Sequence, residues 1–279
     1  MSYKNIIYLA TFSLLIGCGT GNNKDSILLQ TTKAIPIYNQ AYQENFAEDS
    51  ISNILANAKD AYVLVDPFNN DGVVEDIASI KSNNNQVGGY ISAGTGEDWR
   101  DDFPVLEPYL TSIVWPQWEG EFFVSETSTV LLSIMKERIN KMAAWGLDWV
   151  EFDNMDWLDG ESRVKYGLTA TVTEAKAYIN ALCNHTRSKG MKCMAKNTVE
   201  GFESFEGVLY ESYADEKNWW NIDGTKRFLN AGKLVIINHY NETDCDGVYK
   251  EYKSIYKSDN ISFICEDKNL KRYKHYNQN

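Results

Sequence analysis

The amino-acid sequence predicts an α/β protein built as a single (β/α)8 barrel. Eight short apolar runs follow one another from residue 60 onward, and several are continuously apolar, as buried parallel strands are. Patterns typical of helices alternate with these runs, which indicates a parallel sheet. Eight such units within about 210 residues fit a closed barrel better than a doubly wound sheet.

Each predicted strand is a run of five to seven residues, and helices are predicted between them. The strands are predicted at Ala61–Asp66, Val87–Ala93, Thr111–Trp115, Trp149–Asp153, Lys192–Lys196, Gly207–Glu211, Leu234–Asn238 and Ser262–Glu266. The clearest helix covers Thr129–Ala143, where apolar residues recur on one face before Gly146. A second helix follows the capping-box pattern of Thr171 and Glu174.

The first residues have the pattern of an export signal. An apolar run from Ile6 to Ile16 follows Lys4 and is too short to cross a bilayer. Small residues before Cys18 resemble the lipobox of bacterial lipoproteins. We therefore predict a signal peptide (residues 1–17), a lipidated Cys18 with a tether (18–33) and the barrel domain (34–279). An ordinary secretory signal with an incidental cysteine is the alternative.

Charge and cysteine content restrict the partners of the protein. The net charge of −12 disfavours nucleic acid as a partner, because nothing in the chain neutralises phosphates. Cys183, Cys193, Cys245 and Cys265 remain after Cys18, which allows two disulfides in any of three pairings. Buried free thiols are equally compatible with their positions. Their spacing is not that of a metal site, and we predict neither metal nor cofactor.

Acidic side chains occur where the predicted strands end, which is where (β/α)8 barrels carry their active sites. They are Asp66, Glu97, Glu151, Asp153, Asp156, Glu211 and Glu266. Clustered carboxylates repel one another, so stability alone would not favour them. Glycoside hydrolysis requires such a cluster, because it uses one carboxylate at the sugar and one carboxylic acid at the leaving oxygen. The sequence has no G-x-S-x-G, G-x-G-x-x-G or Walker motif that would favour another chemistry.

Several separated motifs resemble one family. They are Gly89–Gly94 with Glu97–Arg100, Trp115–Glu121, Trp145–Asp156 and Ala195–Asn197. This pattern is similar to glycoside hydrolase family 114, the endo-α-1,4-polygalactosaminidases, and extends over roughly residues 60–266. The resemblance implies a cofactor-free enzyme that cuts a cationic, α-1,4-linked galactosamine polysaccharide. It also implies that Asp153 is the nucleophile and Glu211 the acid/base.

The same resemblance implies which residues surround the sugar. They are Asp66, Glu97, Arg100, Glu151, Asn154, Asp156, Lys196 and Asn197. Tyr90 and Trp115 are further candidates as aromatic sugar platforms, although Trp115, like Trp118, could equally pack at the rim. Arg100 could clamp Asp66 or Glu97. We expect His239 to be structural, although it follows a strand that ends at the site.

Two alternatives stay open at this point. The chain could hydrolyse a different α-linked glycan, or it could be a polysaccharide-binding lipoprotein on a catalytically silent barrel. If Asp153 and Glu211 are the catalytic pair, their carboxyl groups should lie within about 5–7 Å of each other. Gly19 follows Cys18 in place of the Asp that retains many lipoproteins in the inner membrane, so we expect an outer-membrane location.

Overall fold

The computed structural model describes residues 33–42, 47–69, 72–115, 118–155, 158, 160–216 and 221–278. The predicted signal peptide and Cys18 lie outside these residues. Within the described ranges no helix is long and apolar enough to cross a membrane.

Eight parallel strands form the barrel. They are β1 (Ile37–Asn39), β2 (Tyr62–Val65), β3 (Gln86–Ser92), β7 (Trp149–Asp153), β8 (Lys192–Lys196), β9 (Gly207–Tyr213), β10 (Leu234–Glu242) and β11 (Ile261–Asp267), in that spatial order. A ninth strand, β12 (Arg272–His275), pairs antiparallel with β11. The barrel is nearly closed, because Ile35 N donates to Ser262 Oγ (3.0 Å) and His275 Nδ1 donates to Ile37 O (2.7 Å). The predicted barrel fold is confirmed.

Three further strands form a small antiparallel sheet outside the barrel. They are β4 (Thr95–Glu97), β5 (Leu110–Val114) and β6 (Glu121–Val124), with β6 in the middle. The prediction of Thr111–Trp115 as a barrel strand was therefore wrong. That run has the composition of a strand, but it is only partly buried and pairs with β6. The barrel strand that the sequence analysis did not predict is β1, which has only three residues and gives no periodic pattern.

Helices cover the outside of the barrel. They are α1 (Ile51–Asn57), α2 (Val73–Lys81), α3 (Phe103–Leu106), α4 (Thr129–Trp145), α5 (Gly160–Lys165), α6 (Val172–Ser188), α7 (Ile222–Asn230) and α8 (Cys245–Tyr256). The predicted capping box is present at the start of α6, where Thr171 and Glu174 bond reciprocally. The prediction that α4 stops at Gly146 is also confirmed, since Gly146 adopts φ +84°.

Apolar side chains fill both faces of the barrel sheet. Inside the barrel, Tyr62, Leu64, Trp149, Met194 and Leu209 belong to one buried cluster. A larger cluster lies between the outer face of the sheet and the helices. The barrel interior is therefore a packed core rather than a pore, and the polar residues at the strand ends lie above it.

Two disulfides each join a helix to a strand of the barrel. Cys183 of α6 bonds to Cys193 of β8, and Cys245 of α8 bonds to Cys265 of β11. Among the three pairings that the sequence left open, the structure therefore has this one, and the four thiols are not free.

Candidate active site

A buried lysine joins two carboxyl groups at the mouth of the barrel. Lys196, the last residue of β8, places its Nζ 2.8 Å from Asp153 Oδ2 and 3.2 Å from Glu211 Oε2. Asp153 ends β7 and Glu211 lies in β9, so three adjacent parallel strands supply the group. Burial alone would lower the pKa of Lys196, but the charges of Asp153, Glu211 and Glu151 raise it instead. The ammonium is therefore charged at every pH of interest.

The shared contact limits the separation of the two carboxyl groups. Because both oxygens contact one nitrogen, at 2.8 and 3.2 Å, they lie at most about 6 Å apart. Retaining glycosidases hold their two carboxyl groups about 5–5.5 Å apart, whereas inverting enzymes use about 6.5–9.5 Å. The geometry is thus closer to that of a retaining pair.

Two more residues orient Glu211. Asn197 Nδ2 donates to Glu211 Oε2 (3.1 Å), and the Glu211 backbone N donates in return to Asn197 Oδ1 (2.8 Å). Tyr240, at the end of the neighbouring strand β10, donates its hydroxyl to Glu211 Oε1 (3.3 Å). Tyr240 was not predicted as a site residue. It lies two residues after the predicted seventh strand, and a position near a strand end is the criterion that identified the acidic residues.

Two tyrosines enclose Lys196. The ring of Tyr42 lies 4.0 Å from Lys196 Nζ and that of Tyr90 5.7 Å, distances at which an ammonium is attracted to an aromatic ring. The Tyr42 hydroxyl donates to Glu151 Oε1. Tyr42 was missed from the sequence because it follows the short strand β1, which was missed as well.

Glu151 lies beneath the mouth and not on its surface. It is fully buried, two residues before Asp153 on the inward face of β7. Burial raises its pKa to about 8, so the carboxyl group is mostly protonated at neutral pH. In the structure Glu151 has no exposed surface and contacts Tyr42 from below, and its predicted contact with the sugar stays a prediction.

Arg100 clamps two carboxylates on the other side of the mouth. Its guanidinium bonds Glu97 through Nε (2.9 Å) and Nη2 (2.8 Å), and Asp66 through Nη1 (2.9 Å). All three side chains are buried. Such bidentate, charge-assisted bonds fix the orientation of both carboxylates. The sequence analysis expected Arg100 to clamp Asp66 or Glu97, and in the structure it clamps both.

A further buried carboxyl group, Glu121, joins the site from the small sheet. Its Oε1 accepts hydrogen bonds from Asn154 Nδ2 (2.6 Å) and from the Thr95 hydroxyl. Burial and the nearby charges of Glu97 and Asp153 raise the pKa of Glu121 to about 7. Glu121 was read from the sequence as part of a motif but not as a site residue, because it ends no predicted strand.

Asn154 uses its amide nitrogen within this network and its backbone to fix Asp153. Its Nδ2 also donates to Ser92 Oγ (3.0 Å), and its backbone N donates to Asp153 Oδ1 (2.8 Å). Gly94 permits this arrangement, because a Cβ there would come within 1.7 Å of the Asn154 carbonyl oxygen. Asn154 therefore positions Asp153, and its predicted contact with sugar stays a prediction.

The remaining predicted residues fall into different environments. Trp115 is half-buried and packs on Phe123 and Tyr166, with ring centroids 5.0 and 5.5 Å apart, as a rim-packing residue does. His239 is buried between Ser212 and Glu242, so the expectation of a structural role is confirmed. Asp156 lies outside the described residues. Within the described part of the chain, no group of three or more His, Cys, Asp or Glu side chains is arranged to hold a metal ion.

A nearly closed (β/α)8 barrel with paired carboxyl groups at the carboxyl ends of its strands is the architecture of a glycoside hydrolase. Residues 31–279 match the sequence profile of glycoside hydrolase family GH114. The chain belongs to this family. Compared by sequence alone with curated proteins, it has no match.

Solved structures share the fold. A crystal structure of Aspergillus fumigatus Ega3 in complex with galactosamine has a TM-score of 0.62 and 22% identity, over 88% of this chain and 95% of that one. The glycoside hydrolase domain of PelA from Pseudomonas aeruginosa has a TM-score of 0.56 and 11% identity, over 84% and 94%. At these identities the similarity establishes the barrel fold and not the substrate.

Proposed function

We propose that the chain is an endo-acting hydrolase of α-1,4-linked, galactosamine-rich polysaccharide, with Asp153 as nucleophile and Glu211 as acid/base. The observation that carries the proposal is the placement of both carboxyl groups on one ammonium, 2.8 and 3.2 Å from Lys196 Nζ. A binding module has no need for a carboxyl pair at this separation, whereas a retaining glycosidase requires one.

In the proposed reaction Asp153 attacks the anomeric carbon while Glu211 donates its proton to the glycosidic oxygen. The bond to the leaving chain breaks, and the sugar is held as an ester of Asp153. Glu211, now a carboxylate, then takes a proton from a water molecule that attacks the same carbon and releases Asp153.

The charge of the mouth favours a cationic sugar. Glu151 is mostly protonated at neutral pH, but among the described residues the carboxyl groups of Asp66, Glu97, Glu121, Asp153 and Glu211 still outnumber the two cations Arg100 and Lys196. A deacetylated galactosamine carries an ammonium group at neutral pH, so this excess of carboxyl groups would attract it. The galactosamine bound to the similar barrel of Ega3 supports the same choice of substrate.

The test is to incubate residues 27–279 with a partly deacetylated α-1,4-galactosamine polymer and to size the products. Release of a ladder of oligomers by the wild type, and of none by Asp153→Asn, supports an endo-acting hydrolase. Turnover only of a different α-linked glycan would reassign the substrate. Binding of the polymer without any products would favour the non-catalytic alternative.

The proposal extends to the location of the enzyme. We propose that residues 1–17 are removed and that Cys18 is lipidated, which would anchor the barrel in the bacterial envelope, in the outer membrane. The two disulfides support export, because such bonds persist in oxidising compartments. Cys18→Ser should release the protein from the membrane fraction or block its processing. An intact mass of the mature protein without lipid would contradict the anchor.

A further inference from the structure

A stacked pair of tyrosines stands at the rim of the barrel next to Glu211. Tyr213 and Tyr240 are register partners on β9 and β10, and their rings stack with centroids 5.1 Å apart at an angle of 30°. Tyr240 is buried, whereas 37% of the surface of Tyr213 is exposed. The exposed ring is therefore supported from behind by a second ring.

Tyr213 faces the mouth of the barrel. Side chains two residues apart point to the same face of a strand, so Leu209, Glu211 and Tyr213 share one face of β9. Leu209 lies in the cluster that fills the barrel interior, together with Tyr240. Tyr213 thus stands directly above Glu211 on the inward face. Burial and the charge of Glu211 raise the pKa of Tyr213 to about 12, which keeps its hydroxyl neutral.

The same pair is tied to the proposed acid/base. Tyr240 contacts the ring of Tyr213 on one side and donates its hydroxyl to Glu211 Oε1 (3.3 Å). The position of the exposed ring relative to Glu211 is therefore fixed before any ligand binds. A surface ordered in advance costs less entropy on binding than a mobile side chain does.

We propose that the exposed ring of Tyr213 is a platform for the sugar on the leaving side of the scissile bond. This inference rests on the proposed function, and in particular on Glu211 as the proton donor. The group that receives the proton of Glu211 is the oxygen of the leaving sugar, so the surface beside Glu211 is the surface that this sugar contacts. One face of a galactosamine ring carries adjacent C–H groups, and an aromatic ring provides the matching apolar surface.

Two substrates separate this platform from the catalytic machinery. A galactosamine oligomer places sugars on both sides of the bond that is cut. The α-glycosyl fluoride of the same oligomer leaves only a fluoride ion, which occupies no sugar site and departs without a proton. Wild-type turnover of both substrates tests the proposed function itself, independently of Tyr213.

Tyr213→Ala should lower kcat/KM for the oligomer by about tenfold or more, because it removes an aromatic contact of the leaving sugar. The same variant should keep its kcat/KM for the fluoride within about twofold of the wild type. Tyr213→Phe keeps the ring and is the matched control, so it should behave as the wild type with both substrates.

Four results would overturn the inference. Equal losses on the oligomer and the fluoride would mean that Tyr213 supports the site as a whole and not the leaving sugar. A basic limb of the pH–rate profile on the oligomer that moves in Tyr213→Ala would mean that the ring acts through Glu211, an effect that the fluoride cannot reveal because it needs no proton. No loss on the oligomer would mean that the ring contacts no sugar there. If Tyr213→Phe were as impaired as Tyr213→Ala, the hydroxyl and not the platform would be responsible. A wild type that cleaves neither substrate would instead overturn the proposed function, and the platform with it.

Discussion

Lys196 forms no bond to the sugar in the proposed reaction, but both catalytic carboxyl groups depend on its charge. It is buried among Asp153, Glu211 and Glu151, so its ammonium is the counter-charge that allows two carboxylates to approach closely. Removing one partner of a buried ionic group leaves the other charges uncompensated, at a cost of about 3–5 kcal/mol.

We therefore expect Lys196→Met to lower kcat by about 10²-fold or more. The acid limb of its pH–rate profile should also move to higher pH, because the two carboxyl groups then repel each other and retain a proton. Lys192→Met is the matched control, since Lys192 is exposed on the same strand. An unchanged acid limb in a folded Lys196→Met variant would show that Lys196 does not set the charge of the pair.

Tyr42 provides a second test at this scale, because its ring and its hydroxyl have separate contacts. The ring covers Lys196, and the hydroxyl donates to the largely protonated Glu151. Tyr42→Phe should keep kcat within about threefold, whereas Tyr42→Ala should lower it by about tenfold or more, since a cation–π contact away from water contributes about 2 kcal/mol. Equal effects of the two variants on steady-state turnover would contradict a role for the ring.

Some of the site residues could be predicted from their positions in the sequence, and others could not. Asp153, Lys196 and Glu211 end predicted strands that are clear in the sequence, and the structure brings them together. Tyr42 follows the three-residue strand β1, and Glu121 begins strand β6 of the small antiparallel sheet. Neither position is marked by a periodic apolar pattern. The sequence cannot show which acidic residues are clamped, as Arg100 clamps Glu97 and Asp66, because that depends on side-chain geometry.

At the scale of elements, long strands were predictable and short ones were not. Trp149–Asp153 and Lys192–Lys196 match their predicted bounds, because buried parallel strands read as continuous apolar runs. Ile37–Asn39 is too short for such a run. Leu110–Val114 has the composition of a strand, but composition does not show which sheet a strand joins. The sequence therefore could not assign this strand to the small antiparallel sheet instead of the barrel.

The two disulfides should differ in their effect on activity. Cys193 lies three residues before Lys196 on β8, whereas Cys265 lies on β11, three strands away from β8. Each bond should contribute about 3 kcal/mol to stability by restricting the unfolded chain. We therefore expect Cys183→Ala/Cys193→Ala and Cys245→Ala/Cys265→Ala to lower Tm similarly, while kcat falls mainly in the first pair. A larger loss of kcat in the second pair would contradict this.

At the scale of the whole molecule, buried acids make stability depend on pH. Asp49 packs between β1 and β12, 3.9 Å from His275 Nε2, and burial raises its pKa from 3.8 to about 8. The folded protein therefore holds a proton that the unfolded chain releases above pH 4. This contribution to stability is complete below pH 4 and is lost as the pH rises through 8. Glu151 and Glu121 act in the same direction.

Tm should accordingly fall between pH 6.5 and 8.5, and Asp49→Asn should reduce that fall by about 3 °C or more. His275 does not oppose this trend in that window, because burial lowers its pKa below 6.5 and it stays neutral. Asp101→Asn changes an exposed carboxyl group and serves as the control. A Tm that rises over this pH range in the wild type would contradict the buried, protonated state of these groups.

The central claim is that Asp153 and Glu211 together break the glycosidic bond. The most direct measurement is kcat on an α-1,4-galactosamine oligomer for the wild type, Asp153→Asn and Glu211→Gln. Glu266→Gln is the matched control, a strand-end carboxyl group that accepts a bond from the backbone N of Asn241 (3.0 Å). We predict that Asp153→Asn and Glu211→Gln each lose at least about 10³-fold in kcat while remaining folded, and that the control loses little. An Asp153→Asn variant that kept most of its turnover would contradict the claim.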